Sequence, residues 1–87
     1  MFSICSVLIV DDDSFARGII RHHLRRLGIK NIFEADDGEQ ALATLRSAKM
    51  QLVIADRYMP TLNGLELFCG MQTDPDLKDT PFIMITM

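Results

Sequence analysis

Short, mostly apolar runs alternate along the chain with longer segments in which apolar residues recur every three or four positions. The runs are residues 6–10, 31–35, 51–55 and 82–86. The first and third are β-branched and almost free of polar residues, which is typical of strands buried on both faces of a parallel sheet. The segments between the runs have helical spacing; they cover about residues 14–27, 39–47 and 65–72. The pattern therefore predicts the order βαβαβαβ, an α/β fold with a parallel sheet and right-handed crossovers.

Local signals place the ends of the first helix. Ser14 is a candidate N-cap, Asp13 favours the positive helix N-terminus, and Gly28 suits the position just after the last turn. The helix is predicted to be apolar on one side, at Phe15, Ile19, Ile20, Leu24 and Leu27.

Composition narrows the function classes. The 87 residues suffice for one domain, residues 1–87, and the net charge of −3 argues against direct binding to nucleic acid. Arg17, Arg21 and Arg25 follow four-residue spacing, which predicts a solvated helix face; a surface for an acidic partner is the alternative.

Targeting signals and cysteines say little about function, but they indicate where the protein is located. No signal peptide is visible, and no apolar stretch approaches the ~20 residues of a membrane span, so we expect a cytoplasmic protein without a membrane partner. Cys5 and Cys69 are then expected to be reduced packing residues.

Carboxylates follow two of the predicted strands directly. Asp11 and Asp12 come after the first strand and Asp56 after the third, while Thr86 ends the fourth. In an open α/β sheet, ligands bind outside the carboxyl ends of the strands. Clustered carboxylates without Cys or His suit a hard cation such as Mg²⁺, and Asp56 could then act as a nucleophile towards a phosphoryl donor. The ordinary alternative is that each Asp forms a turn or caps a helix.

Four segments of the chain together resemble the response-regulator receiver domains of two-component signalling, which have the flavodoxin-like fold. They are VLIVDDD at residues 7–13, EADDGEQAL at 34–42, LVIADRYMPTLNGLEL at 52–67 and PFIMIT at 81–86. The third is the most specific, because it combines an acid, two variable residues, Met-Pro and a turn ending in Gly.

The resemblance implies a role for each site residue. Asp56 would be the phosphoacceptor, Asp12 would bind Mg²⁺ (or Mn²⁺) directly and Asp11 would bind it through water. The backbone carbonyl of Tyr58 would complete the protein ligands, and Thr86 would contact the phosphoryl group as a switch residue. The implied partner is a histidine kinase or a phosphotransfer protein.

Departures from the receiver pattern leave alternatives open. The sequence lacks the last helix, strand and helix of receivers, so it reads as a receiver truncated after the fourth strand. None of its lysines, Lys30, Lys49 and Lys78, follows a strand as the usual phosphate-binding lysine does. A degenerate receiver that acts as an interaction module is therefore the main alternative to a phosphoacceptor. A haloacid-dehalogenase-type phosphatase, with Asp11 as nucleophile and Asp13 as the second acid, is a weaker one.

The fourth strand also predicts self-association. With the receiver strand order 2-1-3-4-5, a missing fifth strand makes residues 82–87 an uncharged sheet edge, and such edges promote pairing. We expect a two-fold homodimer through this strand and the uncovered sheet face, including Phe15, Ile19 and Leu24.

Overall fold

The computed structural model describes residues 6–85 and contains four strands and three helices in the predicted order. The strands are β1 (Ser6–Val10), β2 (Asn31–Ala35), β3 (Leu52–Asp56) and β4 (Phe82–Ile85). The helices are α1 (Ser14–Arg26), α2 (Gly38–Ser47) and α3 (Gly64–Gln72). All neighbouring strands are parallel and their order is β2-β1-β3-β4. The predicted flavodoxin-like α/β fold is confirmed. Cys5, Thr86 and Met87 lie outside the described residues.

The two faces of the sheet are covered unequally. Alternate residues of a strand point to opposite faces, so Leu8 and Val10 pack with α2 and α3, whereas Val7 and Ile9 pack beneath α1. We call the side covered by α2 and α3 the closed face. Its buried cluster is Leu8, Val10, Ala35, Ala41, Leu45, Met50, Val53, Ala55, Met59, Leu67, Met71 and Leu77. We call the side covered by α1 the open face. Its buried cluster is Val7, Ile9, Leu24, Ile29 and Ile54.

Helix α1 contacts the sheet through a narrower strip than predicted. Leu24 is buried and Ile20 packs against the open-face cluster, but Phe15, Ile19 and Leu27 are 74%, 47% and 64% exposed. Ile20 and Leu24 lie one turn apart on the strip that faces the sheet, and Phe15 and Ile19 form a second strip about 140° round the helix. The sequence pattern did not separate these two strips and predicted a single apolar face, which is wrong.

Helix caps confirm one local prediction and correct another. Asp13, not Ser14, is the N-cap of α1, because its side chain accepts a hydrogen bond from the Phe15 amide and Ser14 is already helical. Gly28 follows the C-cap with φ of +93°, a conformation that glycine adopts without strain.

Helix α3 corrects the prediction for Cys69. Its buried residues include Leu67 and Met71, which are one turn apart, and Cys69 lies between them on the outer side, exposed and free. It is therefore not a packing residue. None of the helices among residues 6–85 is long and apolar enough to cross a bilayer.

Candidate functional site

Three carboxylates meet at the edge of the sheet where β1 and β3 end. These strands are neighbours, and Val10 lies opposite Ala55, so the residues that follow, Asp11 and Asp56, lie side by side. Carboxylate oxygens of Asp11, Asp12 and Asp56 all lie within 4.8 Å of one another. The third predicted strand ends one residue later than expected, because Asp56 itself still pairs with Ile85 of β4.

Asp11 is held through both its backbone amide and its side chain. Its amide donates to the Ala35 carbonyl of β2 at 3.1 Å, and its carboxylate accepts from the Asp13 amide at 2.9 Å. Burial raises the pKa of this carboxyl group, and repulsion from Asp56, Asp12 and Asp13 adds to the rise, against the opposing effect of the Asp13 amide. Concentrated negative charge of this kind favours a bound cation.

The loop after Asp56 passes close to the site. The Tyr58 amide points at the Asp56 carboxylate, with N and Oδ1 3.4 Å apart, and the Arg57 amide donates to the Ile85 carbonyl at 3.0 Å. Gly64 closes the loop by donating to the Arg57 carbonyl at 3.1 Å. A Cβ atom at residue 64 would collide with the Asp56 carbonyl oxygen, so this return of the chain requires glycine.

The carboxylates line a groove of about 430 Å³ that also has an apolar wall. The lining residues are Asp11, Asp12, Asp13, Ala16, Ile19, Ile20, Asp56, Tyr58 and Ile85. Tyr58 is 64% exposed, and the Arg57 guanidinium carbon lies 5.7 Å from its ring centre. This ring stands at the rim and does not seal the groove.

The donor set fits a hard divalent cation. It consists of three carboxylates with no thiol or imidazole, and oxygen ligands of this kind are those that Mg²⁺ takes, usually with one or two carboxylates and several waters. The site therefore brings together the predicted ligands Asp11, Asp12 and Asp56. Tyr58 lines the same groove, so its carbonyl remains a proposed ligand. Thr86 lies outside the described residues, and Asp13 caps α1.

Comparison with known proteins identifies the family. The model for the response regulator receiver domain matches residues 7–87. The chain belongs to the receiver family. Chemotaxis protein CheY-3 of Vibrio cholerae is 42% identical over 80 residues, which are 92% of this chain and 62% of CheY-3. The chain thus spans less than two thirds of that relative.

Solved receiver structures share the fold. CheY4 of Vibrio cholerae superposes with a TM-score of 0.87 at 32% identity, covering 94% of this chain and 68% of CheY4. The MaeR response regulator bound to beryllium trifluoride superposes with a TM-score of 0.84 at 28% identity, covering 95% of this chain and 67% of MaeR. Membership of the receiver family sets aside the alternative of a haloacid-dehalogenase-type phosphatase.

Sequence reasoning missed one element of this receiver site, a cluster of three charged residues between α1 and β2. Arg17 Nε lies 3.1 Å from Oε1 of Glu34, and Arg21 donates to the other carboxylate oxygen at 2.5 Å. Arg17 also donates to the backbone carbonyl of Asp11. The predicted solvated face is therefore wrong for Arg17, whose side chain is 16% exposed, whereas Arg21 is paired with Glu34 but keeps 36% of its side-chain surface exposed. A signal was present in the sequence, because an acid, Glu34, interrupts the second predicted strand and the helix before it carries arginines every four residues.

The charge state of Glu34 follows from this cluster. Burial by itself would raise the pKa of Glu34, but the hydrogen bonds and charges of Arg21 and Arg17 outweigh it, so the pKa of Glu34 lies below its usual value. Glu34 is therefore ionised at neutral pH and holds both arginines.

Proposed function

We propose that this receiver chain is a phosphoacceptor module that takes a phosphoryl group on Asp56. The observation that supports the proposal is the convergence of Asp11, Asp12 and Asp56 within 4.8 Å at the strand ends. Asp12 would hold Mg²⁺, or Mn²⁺, directly, Asp11 through water, and Asp56 and the Tyr58 carbonyl would complete the protein ligands. The ion would offset the negative charge that the carboxylates and the phosphoryl oxygens bring together.

Asp56 has the surroundings that a nucleophilic carboxylate needs. It is half-buried, opens to the groove, and accepts one weak hydrogen bond from the Tyr58 amide among the contacts described for residues 6–85. In the proposed reaction a carboxylate oxygen bonds to phosphorus. The bond from phosphorus to the donor nitrogen of a phosphohistidine breaks, and that nitrogen leaves with the electron pair. The product is an acyl phosphate on Asp56.

The proposed donor is a histidine kinase or a phosphotransfer protein, and the groove has features that suit a protein donor. Ile19 and Tyr58 are exposed, and both line the groove together with the carboxylates. Aromatic residues such as Tyr58 are enriched at protein interfaces. A donor that contacts these residues would exclude water while the phosphoryl group moves.

An interaction module without a working phosphoryl switch remains the second candidate. The observation that favours it is the absence of lysine from the groove lining among the described residues. A positioned cation at a transferring phosphoryl group contributes on the order of 10²-fold to the rate or more. We therefore expect slow phosphorylation of an 87-residue polypeptide.

Phosphorylation with acetyl phosphate and Mg²⁺, followed by intact mass, tests both candidates. Wild type should gain one phosphoryl group slowly, Asp56→Asn should gain none, and the exposed Asp79→Asn, away from the groove, should behave as wild type. Labelling that is equal in Asp56→Asn and wild type would exclude Asp56 as the acceptor. No labelling of wild type, even with a histidine kinase, would favour the interaction module.

We also propose that a polypeptide of these 87 residues self-associates through β4. β4 is an edge of the sheet among the described residues, and Ile83 on it is 51% exposed. An apolar edge strand promotes pairing with a second copy. Light scattering at micromolar concentration should give a dimer, and Ile83→Lys should shift it to the monomer. A folded wild-type monomer at that concentration would contradict the proposal.

A further inference from the structure

The Arg17–Glu34–Arg21 cluster lies behind the acidic groove and is absent from its lining. Helix α1 supplies both arginines and β2 supplies the carboxylate, so the cluster joins the helix to the edge of the sheet beside β1. An ion pair on a surface contributes little to stability. The Arg17 side chain, however, is only 16% exposed, and its second contact is with the site itself.

The second contact of Arg17 is with the backbone between two proposed metal ligands, Asp11 and Asp12. Arg17 donates to the carbonyl of Asp11, which belongs to the peptide group that joins Asp11 to Asp12. The amide on the other side of Asp11 is held by β2 through Ala35. With both sides of Asp11 held, the plane of the peptide leading to Asp12 is set, and with it the direction in which the Asp12 side chain leaves the backbone.

The position of the Asp12 carboxylate depends on this backbone more than the positions of the neighbouring carboxylates do. It is exposed, and no hydrogen bond to its carboxylate is described within residues 6–85, whereas Asp11 accepts from the Asp13 amide. The placement of its carboxylate thus follows from the peptide that Arg17 holds. Arginine suits this task because its planar group can donate in two directions at once, whereas lysine presents a single point charge.

We propose that Arg17 is a positioning residue for the Asp11–Asp12 pair, oriented by Glu34, whose other carboxylate oxygen is occupied by Arg21. This inference rests on the proposed metal-dependent function of the groove. Residues that orient metal ligands typically contribute about 10–100-fold in metal affinity. Misplaced carboxylates should impair Mg²⁺ more than Ca²⁺, because Mg²⁺ requires near-octahedral geometry and Ca²⁺ tolerates irregular ligands.

Arg17→Lys is the test, and Arg21→Lys is its matched control. Both substitutions keep the charge, both lie on α1 and both replace a partner of Glu34, but only Arg17 contacts Asp11. Mg²⁺ and Ca²⁺ are titrated separately. Binding is followed by the amide NMR signals of residues 11–13 and by the fluorescence of Tyr58, the single tyrosine of a chain without tryptophan. Urea denaturation measures the stability of each variant.

Arg17→Lys should weaken Mg²⁺ binding by about tenfold or more and lower the ratio of Mg²⁺ to Ca²⁺ affinity. Arg21→Lys should leave that ratio at its wild-type value, even if it lowers stability by a similar amount. Equal ratios in both variants would overturn the inference, because a purely structural ion pair would give that result.

Two further outcomes separate this inference from the function on which it rests. If wild type binds no Mg²⁺ at millimolar concentration, the proposed function fails and the inference fails with it. If wild type binds Mg²⁺ and Arg17→Lys binds it equally well, only the inference fails. Should Arg17→Lys not fold, Glu34→Gln decides, since it removes the group that orients Arg17. A smaller loss in the same direction supports the role, and an unchanged ratio overturns it.

Discussion

The closed and open faces of the same sheet perform different tasks. The closed face is covered by two helices and buries a continuous apolar cluster, whereas the open face is covered by α1 alone and buries a smaller one. Strand alternation places Glu34 and Asp56 on the open side, on the same faces of their strands as Ile32 and Ile54. The charged groups of the site therefore lie on the face that has the smaller buried apolar cluster.

The difference has a physical basis. Ionised side chains keep their charge where water, counter-ions or opposite charges reach them. On the open face Glu34 meets two arginines, and Asp56 opens to the groove beside Asp11. If a second helix among the described residues packed over the end of α1, as helices do on the closed face, it would displace those contacts. Among residues 6–85 no polar or charged side chain is buried on either face, so the charged groups of the site stay in reach of water or of opposite charges.

The largest expected effect is on stability, from matched leucines on the two faces. Leu67 of α3 is fully buried in the closed-face cluster, and Leu24 of α1 is 8% exposed in the open-face cluster. Leucine-to-alanine changes in cores cost about 2–5 kcal/mol. We expect Leu67→Ala in the upper part of that range and Leu24→Ala in the lower part, measured by urea unfolding. Equal losses would show that the faces contribute alike.

Removing charge from the acidic site should stabilise the metal-free protein. The pKa of Asp11 is raised above its usual 3.8, so ionisation opposes folding as pH rises from 3.8 through the folded pKa, and the penalty is complete at neutral pH. Asp11→Asn should therefore increase stability, by roughly the 0.5–2 kcal/mol typical of improved surface charge.

The same substitution should weaken Mg²⁺ binding. Asp79→Asn, far from the groove, serves as the control for both measurements. Lower stability of metal-free Asp11→Asn would contradict the repulsion described for the site.

Acid should weaken the link between α1 and β2. The pKa of Glu34 is lowered from its usual 4.5, so its stabilising contribution is complete above 4.5 and is lost as pH falls through the folded pKa. Glu34→Gln should lose no more than about 1 kcal/mol at pH 7 and show a flatter decline of stability below pH 4.5.

Urea unfolding at a series of pH values measures this effect. Glu39→Gln is the control, since Glu39 makes no ion pair among the described contacts. If the stability of Glu34→Gln falls with pH as steeply as that of wild type, Glu34 is excluded as a source of the acid dependence.

The smallest stability effect should come from the exposed strip of α1. Phe15 is 74% exposed, so Phe15→Ser should change the free energy of unfolding by no more than about 0.5 kcal/mol. If a protein donor contacts this strip, which reaches the groove at Ile19, the variant should accept phosphoryl groups more slowly from a kinase and at an unchanged rate from acetyl phosphate. Equal slowing with both donors would show that Phe15 acts on the site and not on docking.

The strands, their parallel direction and the acidic cluster at their ends follow from the sequence. The uninterrupted apolar runs at β1 and β3 predict buried strands, and neighbouring parallel strands must end at one edge, which brings Asp11 and Asp56 together. The strands and their parallel direction need only strand periodicity and the rules of sheet connection, whereas the order that makes β1 and β3 neighbours was predicted from the resemblance to receivers.

The side of α1 that meets the sheet could not be predicted from the sequence and depends on the tertiary fold. Helical periodicity grouped Phe15 and Ile19 with Leu24, and arginine spacing suggested a solvated face, but neither pattern contains the position of β2. Once β2 pairs with β1, Glu34 stands opposite Arg17 and Arg21. The helix then faces the sheet where apolar packing and ion pairing are satisfied together. Contacts between residues distant in the chain fix this orientation, so local patterns could not reveal it.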